Sequence, residues 1–204
     1  MASGITTEQF SPLSDTSVCV DWIHQADLDG DGISEHVAFD PIAGELIACR
    51  GVTQHRLAWI GGGGYSLVID IERDGAEEIV FGDDASSTAA GNIARWVDER
   101  LVVVTTADGN RLRLQDGFQE DGPPDGEPTA VVTWGCIDIG GNSRELVTGR
   151  AESRGGHDWT VVWIGWAFSG VQALLATQEM ADIVAANLTP QRLASLGGLD
   201  HMCE

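Results

Sequence analysis

Asp27-Leu28-Asp29-Gly30-Asp31-Gly32-Ile33-Ser34-Glu35 is the stretch on which the reading of this chain turns. Carboxylates at alternate positions repel one another unless a cation neutralises them. A hard dication does so with oxygen ligands, and Ca2+ takes about six to eight of them in flexible geometry. Asp27, Asp29 and Asp31 supply carboxylates at positions 1, 3 and 5, and Gly32 permits the sharp turn that follows. The Ile33 carbonyl falls at position 7, and Glu35 at position 9 closes the shell. The start matches an EF-hand loop, but that loop also needs a glutamate at position 12 and a helix on each side. Position 12 is Ala38, and the flanks at 18–23 and 36–39 have strand composition. The stretch reads as a calcium loop between two β-strands. The plainer alternative is an acidic hairpin loop in solvent.

The pattern recurs 43 residues on, where the strand 66–69 leads into Asp70-Ile71-Glu72-Arg73-Asp74-Gly75-Ala76-Glu77-Glu78 and the strand 79–81. Asp70, Glu72, Asp74, the Ala76 carbonyl and Glu78 align with the ligand positions of the first loop. A third, eroded copy follows the strand 131–134: Asp138-Ile139-Gly140-Gly141-Asn142-Ser143-Arg144-Glu145. It is one residue short, has Gly140 for the central acid and keeps only Asp138, Asn142 and Glu145 as weak metal candidates. A second marker repeats in phase. Trp59, Trp96 and Trp163 each sit on a strand just before a turn, and they read as packing residues rather than ligand-stacking ones. Two markers in the same order, three times, indicate an internal repeat.

Acidic Asp-x-Asp-x-Asp-Gly loops between strands, each paired with a tryptophan-bearing strand, resemble the FG-GAP/VCBS repeats, the calcium-loop blades of integrin-α-type β-propellers. The resemblance covers about residues 17–176 and is most specific over Asp27–Glu35. It implies a mainly β fold of three four-stranded antiparallel blade-like units resembling β-propeller blades. It also implies a loop between the first two strands of each blade, with Ca2+ held by the residues named above. The units fall at about 17–60, 65–106 and 129–176, with an insertion over 107–128 and an N-terminal arm over 1–16. Within the insertion, a hairpin is expected around Asp108-Gly109-Asn110 and an acidic Pro/Gly loop over 115–128. A C-terminal helical segment fills 177–204, with helices expected at 178–187 and 190–196. Their apolar positions Met180, Ile183, Val184, Leu188, Leu193 and Leu196 need a surface to bury against. Propellers have about four to eight blades. Three units leave open edges, which points to association with a second copy or to closure by the helices.

Composition narrows the functional classes. The formal net charge is -21, and every one of the 11 basic residues is arginine. Such a field repels nucleic acid and anionic membranes and attracts cations. No apolar run approaches the ~20 residues that span a bilayer, and no signal peptide is recognisable at the N-terminus. The acidity and the calcium loops lean toward an extracellular or cell-surface location. Cys19, Cys49, Cys136 and Cys203 have no zinc spacing and are compatible with three disulfide connectivities or with free, buried thiols. The five histidines are scattered, and none of the GxSxG, HExxH, GxGxxG or P-loop patterns occurs. The best enzyme candidate is His157-Asp158 in a glycine-rich turn. The function expected is a non-catalytic, calcium-stabilised β module for protein or glycan binding, adhesion or assembly. The alternatives are a polysaccharide-active enzyme or its accessory domain, and a structural protein of a particle or filament.

Overall fold

A computed structural model describes residues 24–40, 43–51, 53–58, 64–85, 88–119 and 129–203. The expected arm at 1–16, the strand at 18–23, Trp59 and the stretch 120–128 lie outside the described residues. The described chain is mainly β, with one short helix.

The first four strands are β1 (His24–Ala26), β2 (Glu35–Asp40), β3 (Glu45–Arg50) and β4 (Thr53–Ala58), and they form a four-stranded antiparallel sheet in chain order. The second run is β5 (Gly64–Ile69), β6 (Glu78–Ala85), β7 (Thr88–Val97) and β8 (Arg100–Val103), again antiparallel between successive strands. Then come β9 (Thr105–Thr106) and β10 (Arg113–Gln119). The third run is β11 (Ala130–Gly140), β12 (Ser143–Gly155), β13 (Asp158–Ser169) and β14 (Gln172–Val184), once more antiparallel in sequence order. Helix α1 (Pro190–Leu196) and β15 (Asp200–His201) complete the chain. The three acidic stretches each join the first and second strands of their run.

The second and third runs are not separate sheets. β10 pairs with β7 on one side and β11 on the other, which merges them into one 11-stranded sheet. The sheets do not close. Residues 115–119, expected in the acidic loop, therefore continue a strand. The expected hairpin is present in a short form: Thr106 N–H donates to Asn110 O at 2.7 Å, and Thr105 bridges Arg111.

The second run is buried on both faces. Side chains alternate across a strand. Ile79 and Phe81 pack with Leu28, Val37 and Leu46 of the first run, while Val80 between them packs with Trp134, Cys136 and Leu146 of the third. On β7, Ala94 goes to the first cluster and Ile93 to the second. This explains the unbroken apolar run Ile79-Val80-Phe81, since a strand covered on both sides has no solvent face to pattern. A third cluster lies under α1, where Leu193 and Leu188 meet Val131, Ala151 and Trp159. The helix starts at Thr189, whose Oγ1 accepts from Arg192 N–H at 3.2 Å, with Pro190 at its first position.

The expected helix over 178–187 is absent; Gln178–Val184 continue β14 instead. The spacing of Met180, Ile183 and Val184 suits a helix, but the ladder to β13 runs unbroken from Asp158↔Val184 to Gly165↔Thr177 and supplies backbone partners all along. Tertiary pairing overrides local propensity here. The two-faced ribbon leaves Met180 and Val184 exposed, at 68% and 79%. Leu174 and Leu175 are exposed too. Among the described residues, only Gln172 and Ala173 pair on the outer edge of β14, with β9.

Two disulfide facts settle part of the cysteine question. Cys136 of β11 is bonded to Cys203, and Cys49 is also disulfide-bonded.

Candidate metal centre

The first acidic loop hangs between β1 and β2 and is shaped by its own carboxylates. Asp27 Oδ1 accepts from Asp31 N–H at 3.0 Å and Oδ2 from Gly32 N–H at 2.7 Å. Asp31 Oδ1 accepts from Ile33 N–H at 2.8 Å, and Glu35 Oε2 from Leu28 N–H at 3.0 Å. Gly32 has φ +83°, a backbone conformation that disfavours a Cβ. Leu28 between the acids is buried and anchors the loop on the first core cluster.

The second loop repeats this pattern 43 residues on. Asp70 accepts from Asp74 N–H and Gly75 N–H, both at 3.1 Å. Asp74 accepts from Ala76 N–H at 3.0 Å and Glu78 from Ile71 N–H at 2.9 Å. Gly75 has φ +96°, and Ile71 takes the buried place of Leu28. The same four hydrogen bonds thus shape both loops. The loops also touch: Glu77 Oε2 accepts from Asp27 N–H at 2.7 Å, and Asp27 O from Glu77 N–H at 2.8 Å.

The third copy is different. One residue shorter than the other two, it forms a hairpin with a two-residue turn, Gly141-Asn142, between β11 and β12. Asp138 pairs with Arg73 at 2.8 Å, Glu145 Oε1 accepts from Thr177 Oγ1 at 2.9 Å, and Asn142 is exposed. The expected loop shape is not kept, and these three side chains do not converge.

In the first loop the carboxylate oxygens of Asp27, Asp29 and Glu35 lie within 4.8 Å of one another. Glu35 is 2% exposed, and its Oε1 has no hydrogen-bond partner among the described residues. Burial pushes its carboxyl above the ordinary range, Leu28 N–H pulls it back, and Asp29 pushes it up again. A buried carboxylate oxygen with no donor, beside two more carboxylates, fits a hard cation. The Asp31 carboxylate, which is not among the three that converge, and the Ile33 carbonyl belong to the same loop.

Each loop also meets an arginine that the motif does not contain. Arg50 at the end of β3 pairs with Asp29, with Asp31 at 2.5 Å and with Glu35 at 3.6 Å. Arg95 on β7 pairs with Glu72 at 2.8 Å, Glu78 at 3.0 Å and Asp74 at 3.7 Å. Burial pushes Glu72 up, and pushes Glu78 up to about 8 although Arg95 and Ile71 N–H pull it down. The one sequence signal is an arginine on the third strand of the first and second runs, 15 residues after Glu35 and 17 after Glu78.

The remaining candidates stand apart. His157 lines a cleft of about 280 Å³ with Phe118, Trp159 and Asn187. Trp159 Nε1 there donates to Ala185 O at 3.0 Å. His36 bonds Gln25 at 3.1 Å, His24 bonds Ser66, and His201 pairs with Asp116 at 2.9 Å. Trp96 packs edge-on to His55, and Trp163 packs against the third cluster, as packing residues do. Among the described residues, no helix is long and apolar enough to cross a membrane. Compared with protein-family models, curated proteins and solved structures, the chain has no match in any of the three.

Proposed function

We propose that this is a calcium-stabilised β-repeat module that binds or assembles and does no chemistry, with Asp27, Asp29, Asp31, the Ile33 carbonyl and Glu35 holding Ca2+. The observation that carries this reading is the buried, donorless Glu35 Oε1 set among the carboxylates of Asp27 and Asp29. The ion would supply charge neutralisation and pin β1 to β2. The likeness to FG-GAP/VCBS blades supports it, because three successive four-strand runs carry their acidic stretches at equivalent places. Three disulfide-bonded cysteines among the described residues fit an oxidising, extracellular or cell-surface setting.

A ligand that binds only the folded state adds RT ln(1 + [L]/Kd), about 2.7 kcal/mol at 100-fold Kd. Chelator is therefore expected to lower the melting temperature, and Asp29→Ala to abolish most of that response. A melting curve indifferent to calcium would contradict the reading. Because Glu35 must be deprotonated to bind, calcium affinity should also fall on acidification.

One observation favours assembly over solitary display. Beyond Gln172 and Ala173 no described residue pairs with the outer edge of β14, which carries exposed Leu174, Leu175, Met180 and Val184, and open edges recruit further strands. Antiparallel pairing of two β14 edges about a two-fold axis would cover it. The net charge of -21 opposes that pairing at low salt. Mass by light scattering should rise with ionic strength and calcium. A 21.7 kDa monomer throughout would rule out pairing between copies.

A further inference from the structure

We propose that the chain carries its own cation for these loops: Arg95 fills the second permanently, whereas Arg50 closes the first only until a metal ion displaces it. This rests on the calcium reading of the first loop. The two arginines are equivalent by register. The β2–β3 ladder begins at His36↔Cys49 and the β6–β7 ladder at Ile79↔Ala94. One step outward, Arg50 faces Glu35 and Arg95 faces Glu78. Each guanidinium reaches the acids at positions 3, 5 and 9 of its loop. The third run has Ala167 at the matching place, and its loop has collapsed to a turn.

The two arginines differ in how firmly they are held. Arg95 has 12% side-chain exposure, stacks over Phe168 at 5.0 Å and donates to Gly170 O at 3.4 Å. Its Nε lies 3.0 Å from Glu78 Oε1, so both Glu78 oxygens are satisfied. A guanidinium with its donors aimed at three carboxylates replaces a dication without the cost of dehydrating one. Arg50 is 42% exposed, has no ring beneath it among the described residues, and its Nε stops 3.6 Å from Glu35 Oε1, which has no hydrogen bond among them. Its long side chain can swing into solvent, and the oxygen it leaves is the one a metal needs.

Calorimetric titration of the full chain with calcium chloride tests this, using wild type, Arg50→Ala and Asp29→Ala. The wild type is expected to take one ion per chain. Arg50→Ala should take one ion at least about tenfold more tightly, since tenfold corresponds to only about 1.4 kcal/mol. Asp29→Ala should take none, with its folded state checked by circular dichroism. Two ions in the wild type, or one retained in Asp29→Ala, would overturn the arginine-filled second loop. Unchanged or weaker binding in Arg50→Ala would overturn the displacement of Arg50. Binding in none of the three would overturn the calcium reading itself.

Discussion

Replacing both Cys136 and Cys203 by alanine is expected to cost about 4 kcal/mol of folding stability, read as a lower denaturant midpoint. The bridge spans 67 residues, and a cross-link of that reach removes about this much entropy from the unfolded chain. Both ends are buried in the cluster with Trp134 and Ile71, so packing is lost as well. The bridge has a second task. β15 occupies the part of the β11 edge that β10 leaves open, pairing Gly135 with His201 and Cys136 with Asp200. Met202 N–H donates to Trp134 O at 3.1 Å beside it. A two-residue strand does not hold itself, and α1 precedes it directly. Loss of the bridge should free the tail and expose the amides of α1 to exchange. A cost below about 1 kcal/mol would mean that the paired tail is stable unaided.

Above pH 8, where Glu78 is ionised, Arg95→Met is expected to cost about 3 to 5 kcal/mol, the usual result of removing one partner from a buried ion pair. Glu78 is 1% exposed and would keep a buried carboxylate with no cation. The loss should depend on pH in a definite direction. Glu78 sits at about 8 in the folded state against an ordinary 4.5. Between those values the folded protein holds a proton that the unfolded chain has released. This contribution is therefore complete below pH 4.5 and is lost as pH rises through 8. Removing Arg95 raises the carboxyl further, so Arg95→Met should be most damaging at alkaline pH. Glu78→Gln should flatten the dependence, and the double variant should recover much of the loss. Equal costs for Arg95→Met at pH 5 and pH 9 would show that stacking on Phe168, and not charge, is what the arginine contributes.

Much of the candidate site was legible because acids and glycines at fixed spacing shape a loop through their own hydrogen bonds. Asp27, Gly32 and Glu35 and their counterparts Asp70, Gly75 and Glu78 announce two loops of one shape, and the hydrogen bonds repeat accordingly. The arginines were not legible in that way. Their meaning lies in cross-strand register, which places Arg50 against Glu35 and Arg95 against Glu78 only after β2–β3 and β6–β7 pair. The eroded copy at Asp138–Glu145 looked like a weakened loop. One residue shorter than the other two, it forms a hairpin turn instead. Residues 178–184 were misread for the opposite reason. Their apolar spacing is helical, but Trp159 to Gly165 on β13 offer a continuous ladder, and pairing decided the outcome. The strand Ile79-Val80-Phe81 shows why burial on both faces was hidden, since an unbroken apolar run does not say which neighbour covers which side. The start of β10 falls in the expected hairpin around Asp108-Gly109-Asn110, but its continuation through 115–119, which joins the second and third runs, reads as polar loop.

The most direct measurement is a diffraction map from crystals grown with calcium, using the anomalous signal of the ion. The account predicts one peak among Asp27, Asp29, Asp31, the Ile33 carbonyl and Glu35, with the Arg50 guanidinium displaced from Asp29 and Asp31. It predicts none among Asp70, Glu72, Asp74 and Glu78, where Arg95 stays in place. A first loop still closed by Arg50 with no ion, or an ion seated in the second loop with Arg95 driven out, would contradict it.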